Sequence, residues 1–270
     1  MKGRILSFLV LWTVILSLVL TLQNTGGFIL LLVATAATQW EFYALLKKMG
    51  YHPIAQLSTL LGALLMITSY WMPGIGLDSL YVSVLVLSLT TLATRGTDRP
   101  FEALASSLLG MSLIAYPFSY LCLILVHFTQ AWEGILLCLW LIAVAKFTDV
   151  GALLCGLAFG KHKMAPTLSP KKTWEGAIGG VLISMLVGAL LTWGITGLPE
   201  SMSIGLSALI ALPIALLSIF ADLLESALKR QAKVKDSGAI FPGIGGVFDL
   251  TDSLMLTAPM GYYLFIHLLG

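Results

Sequence analysis

Apolar runs of about the length needed to cross a bilayer fill most of this chain, and they restrict its fold more than any other feature. A helix of about 20 residues crosses about 30 Å of hydrocarbon, and most of the runs approach that length. Of the 270 residues, 58% are hydrophobic and only 10% are charged, whereas an ordinary soluble domain carries about 25% charged residues. A chain of this kind needs lipid as the solvent for most of its surface.

The runs predict an all-α fold, a polytopic transmembrane helix bundle with about nine spans. Helices are expected because lipid offers no partners to backbone groups, and the runs lack the alternation typical of a barrel. The first run is longer than a signal-peptide core and has no small-residue cleavage site after it, so we expect it to be retained. The predicted spans are residues 4–23, 27–46, 54–72, 77–95, 104–127, 134–158, 175–197, 204–227 and 253–269.

Basic residues fall on one side of this predicted bundle. With nine spans, every Lys and Arg except Lys146 lies before span one or after spans two, four, six and eight. The opposite connections carry only acidic charges, which is a strong positive-inside pattern. The pattern predicts a cytosolic N-terminus and a C-terminus outside the cytosol.

Two long connections, residues 159–174 and 228–252, fall on the predicted cytosolic side. Both are rich in Gly, Pro and Lys, and loops of this kind often carry function. We therefore divide the chain into N-terminal transmembrane helices, residues 1–130, and a catalytic transmembrane region with both loops, residues 131–270.

Ionisable side chains inside apolar runs are costly and usually mark function. Several recur at helical spacing and so share a helix face. Structural ion pairs are the alternative, and for Glu41 the two interpretations are about even because Lys47 and Lys48 lie nearby. The groups at i, i+3 or i+7 spacing are Lys146 with Asp149, Asp222 with Glu225 and Lys229, and Asp249 with Asp252.

Carboxylates without clustered His or Cys are typical of a site for a hard cation such as Mg²⁺. The three cysteines lie in apolar runs without CxxC spacing, and the four histidines are scattered, so neither a disulfide framework nor a zinc site is expected.

The basic loops supply the opposite charge. Lys171 and Lys172 precede a predicted helix that Thr173 can cap, and a helix N-terminus favours anions. Gly243, Gly245 and Gly246 let the backbone approach a ligand closely; a topology signal alone is the alternative for the lysines. Nucleic acid is not an expected partner. The combination indicates phosphoryl or nucleotidyl transfer to a lipid, with a cation-coupled transporter as the alternative.

Residues 226–252 resemble the signature of the phosphatidate cytidylyltransferases, S-x-x-K-R-x-x-x-x-K-D followed by a Gly/Pro turn and H-G-G-x-x-D-R-x-D. The S-P-K-K-T-x-E-G block at 169–176 is also similar to that family. Ile244 and Leu250 depart from the signature, which has His and Arg there. The matching positions are Ser226, Lys229, Arg230, Lys235, Asp236, Pro242, Gly245, Gly246, Asp249 and Asp252.

The resemblance implies transfer of CMP from CTP to phosphatidate, giving CDP-diacylglycerol and pyrophosphate. Mg²⁺ is the implied cofactor, and a second cation is left open. Asp222 and Asp249 are the expected catalytic metal ligands, with Asp252, Glu225 or Asp149 in support, and Lys229 is the third expected catalytic residue. The expected substrate-binding residues are Lys171, Lys172, Ser226, Arg230, Lys235, Asp236, Gly245 and Gly246.

The implied location is a cell membrane, as in the inner membrane of a bacterium, with the site facing the cytosol. Phosphatidate keeps its acyl chains in the bilayer, so the site is also expected to open sideways to lipid. CTP, phosphatidate and the bilayer are the expected partners, and a homodimer is left open.

Overall fold

A computed structural model describes residues 2–76, 78–93, 99–128, 130, 132–238 and 245–270. The side chains of residues 2–12, 14 and 15 are not described, which includes those of Lys2 and Arg4. Three positions named in the sequence predictions, Pro242, Gly243 and Ile244, lie outside the described residues, as does Arg95, one of the basic residues after span four.

Helices follow the apolar runs and account for 79% of the chain. Each of the nine predicted spans overlaps a helix among the described residues. Helix α1 covers the first two spans, and a break at Gln23, with φ 47° and ψ −126°, separates them. The helices are α1 (Lys2–Lys48), α2 (Ala55–Trp71), α3 (Asp78–Ala93), α4 (Pro100–Gly110), a π-helical turn (Met111–Ala115), α5 (Tyr116–His127), α6 (Glu133–Phe159), α7 (Trp174–Gly194), α8 (Ile204–Gln231), α9 (Val247–Thr251) and α10 (Leu254–Leu269).

The first long connection contains a β-hairpin, which the all-helical prediction did not include. Strand β1 (Lys163–Ala165) pairs antiparallel with β2 (Ser169–Thr173). Lys163 lies opposite Thr173, and Ala165 lies opposite Ser169. The hairpin lies outside the apolar runs, so the rule that favours helices in lipid does not apply to it.

Five helices among the described residues are long and apolar enough to cross a membrane. The other helices that match predicted spans are shorter; α2 has 17 residues, and α3 and α10 have 16 each. Several apolar helices fit a membrane protein, while the count of nine spans and the orientation stay predictions. The five are Leu16–Lys48, Pro100–His127, Glu133–Phe159, Trp174–Gly194 and Ile204–Gln231.

The chain divides into two compact units. The first consists of Met1–Val126 and Leu228–Thr251, and the second consists of His127–Ala227 and Asp252–Gly270. Most of the second long loop therefore belongs with the N-terminal helices. The functional division at residue 130 stays a prediction.

In the second unit, small residues let α7 pack closely on α6. A Cβ added at Gly180 would lie 2.6 Å from the Thr148 carbonyl oxygen, and one at Gly176 would lie 2.7 Å from that of Ala152. Ser184 Oγ donates to the Val144 carbonyl across this contact at 2.8 Å. This close packing holds the loop between α6 and α7 at both of its ends.

Candidate functional site

Three carboxylates converge in the second unit. Asp222 and Glu225 lie on α8, and Asp252 lies just before α10. One oxygen from each lies within 4.8 Å of the others, and Glu225 and Asp252 are buried. Three hard oxygen donors at this spacing fit a divalent cation of the Mg²⁺ type.

Two lysines offset the negative charge of this cluster. Lys146 Nζ donates to Asp252 Oδ1 at 2.8 Å and lies 4.0 Å from Asp149 Oδ2. Lys172 forms an ion pair with Asp222. The predicted Lys146–Asp149 pair is present, but Asp252 is the closer partner. Burial raises the pKa of the Asp252 carboxyl, and the Lys146 ammonium opposes that shift.

A cavity of about 610 Å³ lies beside these residues. Asp149 and Asp222 line it together with Lys171 and Lys172, so four of the predicted site residues are brought together. Lys163 lines it as well; this lysine of the first basic loop was not among the predicted site residues. A volume of this size accommodates a small-molecule ligand or cofactor.

One wall of the cavity is apolar. Leu153 and Leu157 on α6 line it, and they are 62% and 78% exposed. Exposed leucines beside lysines suit a ligand with an anionic head and an apolar tail. The sideways opening of this site to lipid stays a prediction.

The hairpin that carries Lys163, Lys171 and Lys172 is held by the first turn of α7. Thr173 is the N-cap of α7, as predicted, and its hydroxyl accepts from Gly176 N at 3.2 Å. Glu175 accepts from Lys161 N at 3.1 Å and lies 2.6 Å from His162 Nδ1. These contacts join the two ends of the loop and so hold its lysines at the cavity.

In the first unit, Asp249 contacts described residues on both sides of positions 239–244 in the second predicted loop. Asp249 accepts from Lys229 Nζ at 2.9 Å, Gly246 N at 2.8 Å and Ser237 N at 3.0 Å. Gly245 has φ +120°, and a Cβ there would lie 2.5 Å from Asp249 Oδ2. Glycine is therefore required by the backbone and by the close approach of the carboxylate.

Glu41 makes its contacts with the same loop. Its Oε2 accepts from Ser237 Oγ at 3.0 Å and from Phe248 N at 2.9 Å. Pairing with Lys47 and Lys48 was one of two interpretations of Glu41, and its contacts are instead with Ser237 and Phe248. Both lysines are exposed. The only sequence signal for Glu41 was a carboxylate inside an apolar run.

Other predicted site residues have no structural test. Asp222 and Asp249 belong to different units, so their joint metal binding stays a prediction. Arg230, Lys235 and Asp236 are exposed and Ser226 is half-buried, and their substrate-binding roles also stay predictions.

Comparison with known proteins identifies relatives along the whole chain. Residues 2–268 match the model described as "Cytidylyltransferase family". A phosphatidate cytidylyltransferase of Staphylococcus epidermidis is 31% identical over 268 residues, covering 96% of this chain and 97% of that protein. One of Staphylococcus saprophyticus is 31% identical over 278 residues (99% of this chain, 100% of that protein). One of Synechocystis is 41% identical over 143 residues (50% of this chain, 45% of that protein). The transporter alternative is not supported.

Proposed function

This chain belongs to the cytidylyltransferase family, and on that basis we propose that it transfers CMP from CTP to phosphatidate, forming CDP-diacylglycerol and pyrophosphate. The observation that carries the proposal is the match along nearly the full chain to relatives named phosphatidate cytidylyltransferase. The lysines and carboxylates that line one cavity of the second unit suit such anionic substrates.

The chemistry is a substitution at the α-phosphorus of CTP. A phosphate oxygen of phosphatidate forms a new P–O bond, and the bond from the α-phosphorus to the oxygen that bridges to the β-phosphate breaks. Pyrophosphate leaves with that oxygen and its electron pair. The phosphate monoester already carries a charge of about −1.5 to −2, so no strong general base is needed. Charge repulsion and alignment are the main barriers.

Basic residues of the chain would lower these barriers from two places. Lys163, Lys171 and Lys172 at the cavity would bind phosphate oxygens and reduce the repulsion between the two anions. Lys229, Arg230 and Lys235 would do the same from the second loop. Ser226, Asp236, Gly245 and Gly246 complete the proposed substrate contacts.

Mg²⁺ is the proposed cofactor. Asp222 and Asp249 are the proposed first ligands, and Glu225 and Asp252 support them because they cluster with Asp222; Asp149 is a further candidate. When bound, the metal would neutralise phosphate charge and orient the phosphate groups.

We further propose a multi-pass protein of the cell membrane with nine spans and a cytosol-facing site. The apolar helices and the one-sided basic charges support this arrangement. Leu153 and Leu157 would face the acyl chains of phosphatidate beside the cavity. A homodimer remains an open part of the proposal.

The test is a transfer assay with the purified full-length protein in mixed micelles. We expect label from [α-³²P]CTP to appear in lipid when phosphatidate and Mg²⁺ are both present. Removal of Mg²⁺ with EDTA should abolish the product. Diacylglycerol without a phosphate is the control substrate and should give none. Absence of labelled lipid with phosphatidate and Mg²⁺ would contradict the proposal.

A further inference from the structure

We propose that Glu41, a buried carboxylate on α1, is a positioning residue that aligns Asp249 by anchoring the loop that carries it. The inference rests on the proposed function, because it assigns Glu41 a role in the same reaction. All residues concerned belong to the first unit.

One carboxylate oxygen joins the two sides of the loop. Glu41 Oε2 accepts from the hydroxyl of Ser237 at 3.0 Å and from the backbone N–H of Phe248 at 2.9 Å. Glu41 and Ser237 are each 5% exposed, and Phe248 is fully buried. Buried donors that lose their acceptor are left unsatisfied, which is costly. Glu41 therefore connects α1 to residues on both sides of positions 238–247 in the loop.

The same residues lead directly to Asp249. Ser237 uses its hydroxyl for Glu41 and its backbone N–H for Asp249 Oδ2, at 3.0 Å. Phe248, the other donor to Glu41, precedes Asp249 in the chain. A displacement of Glu41 would therefore move two groups that set the position of the Asp249 carboxylate.

The packing around Glu41 is close on the loop side. A Cβ at Gly238 or Gly246 would collide with the Glu41 carboxylate. Phe42 packs edge-on against Phe248 with ring centres 5.8 Å apart. Thr38 Oγ1 lies 2.9 Å from Thr251 Oγ1. One face of α1 thus holds the loop, and Glu41 provides its charged contact.

The role assigned to Glu41 is that of a hydrogen-bond acceptor. The two loop donors share one carboxylate oxygen, so the carbonyl oxygen of a glutamine could accept both bonds. Glu41→Gln should therefore preserve the anchor, whereas Glu41→Ala removes it. Gln39→Leu is the matched control, because Gln39 is a buried polar residue on the same helix whose side chain faces Tyr43 and Gly62.

The first measurement is hydrogen–deuterium exchange of the full-length protein in detergent. We expect Glu41→Ala to speed amide exchange about tenfold in peptides that contain Ser237, Gly246 and Phe248. Glu41→Gln and Gln39→Leu should leave those peptides close to wild type. Unchanged exchange in Glu41→Ala would overturn the proposal.

The second measurement is the Mg²⁺ dependence of CMP transfer. Groups that orient metal ligands typically change metal affinity 10–100-fold when they are removed. We expect Glu41→Ala to raise the half-activating Mg²⁺ concentration about tenfold, and Glu41→Gln to restore it to within about threefold of wild type. A general loss of stability would lower the active fraction without moving this midpoint. An unchanged midpoint in Glu41→Ala would overturn the positioning role.

Ser237→Ala carries the test if Glu41→Ala does not fold. It removes the hydroxyl donor to Glu41 and keeps the backbone N–H that binds Asp249. We expect a smaller rise in the Mg²⁺ midpoint and faster exchange in the same peptides. If Ser237→Ala shows neither of these changes, the anchor is refuted. Exchange needs no substrate, so a wild type without CMP transfer would overturn the proposed function alone.

Discussion

At the scale of single residues, the position of the Asp249 carboxylate depends partly on backbone hydrogen bonds within the signature segment, residues 226–252. Its carboxylate receives hydrogen bonds from a lysine on α8 and from two backbone amides of the loop. Gly245 is needed there because its φ is positive and a side chain would meet the carboxylate. The glycine and the aspartate are thus parts of one local arrangement.

We predict that Asp249→Asn lowers kcat by at least about 100-fold, because it removes a proposed metal ligand and a charge that acts on phosphate chemistry. The protein should still fold in detergent, since asparagine keeps the size of the side chain. Transfer kinetics and size-exclusion chromatography measure the two effects. Asp78→Asn, at an exposed carboxylate that begins α3, should keep normal activity. Near-normal turnover of Asp249→Asn would refute the catalytic role.

At the scale of elements, the contact between α6 and α7 depends on glycine. The two helices flank the hairpin that carries Lys163, Lys171 and Lys172. Because α7 approaches the backbone of α6 at Gly176 and Gly180, the two helix ends that flank the hairpin are held close together. Close helix packing in this unit therefore supports the geometry of the cavity.

We predict that Gly180→Ala destabilises the protein by about 1–3 kcal/mol, because its Cβ would lie 2.6 Å from the Thr148 carbonyl oxygen and overpack the contact. Gly194→Ala, at the end of the same helix with no atom within 4 Å of the new Cβ, should change stability by less than about 0.5 kcal/mol. Reversible unfolding in mixed micelles compares the two. Equal stability of the two variants would show that the close approach is not needed.

At the scale of the whole molecule, charge placement predicts how the chain crosses the bilayer. Five helices meet the length and composition expected of a span among the residues that the structure describes. The basic residues lie at alternate ends of nine predicted spans. An odd number of spans places the two termini on opposite sides of the membrane.

We predict that a green fluorescent protein fused to Gly270 is dark in bacterial cells, and that alkaline phosphatase at the same point is active. The physical reason is the positive-inside pattern, which places the C-terminus outside the cytosol. Fusions after Ala232, in the second predicted cytosolic loop, serve as the reverse control. A fluorescent fusion at Gly270 would instead support an even number of spans.

Much of this protein follows from local sequence patterns. Apolar runs predict the helices because hydrocarbon requires backbone groups to be satisfied within each segment. The break between the first two spans and the Thr173 cap were predictable from nearby residues. The signature of residues 226–252 indicated the family because its fixed positions lie within one short segment.

The long-range partners were decided only by the tertiary structure. Glu41 accepts from residues 196 and 207 positions away, and Lys146 donates to Asp252, 106 positions away. Helical spacing indicates neighbours on the same helix face, so it favoured Asp149 as the partner of Lys146 and left pairing with nearby lysines as one of two interpretations for Glu41. Buried charged side chains pair where segments distant in the sequence pack together, and local periodicity does not indicate which segments those are.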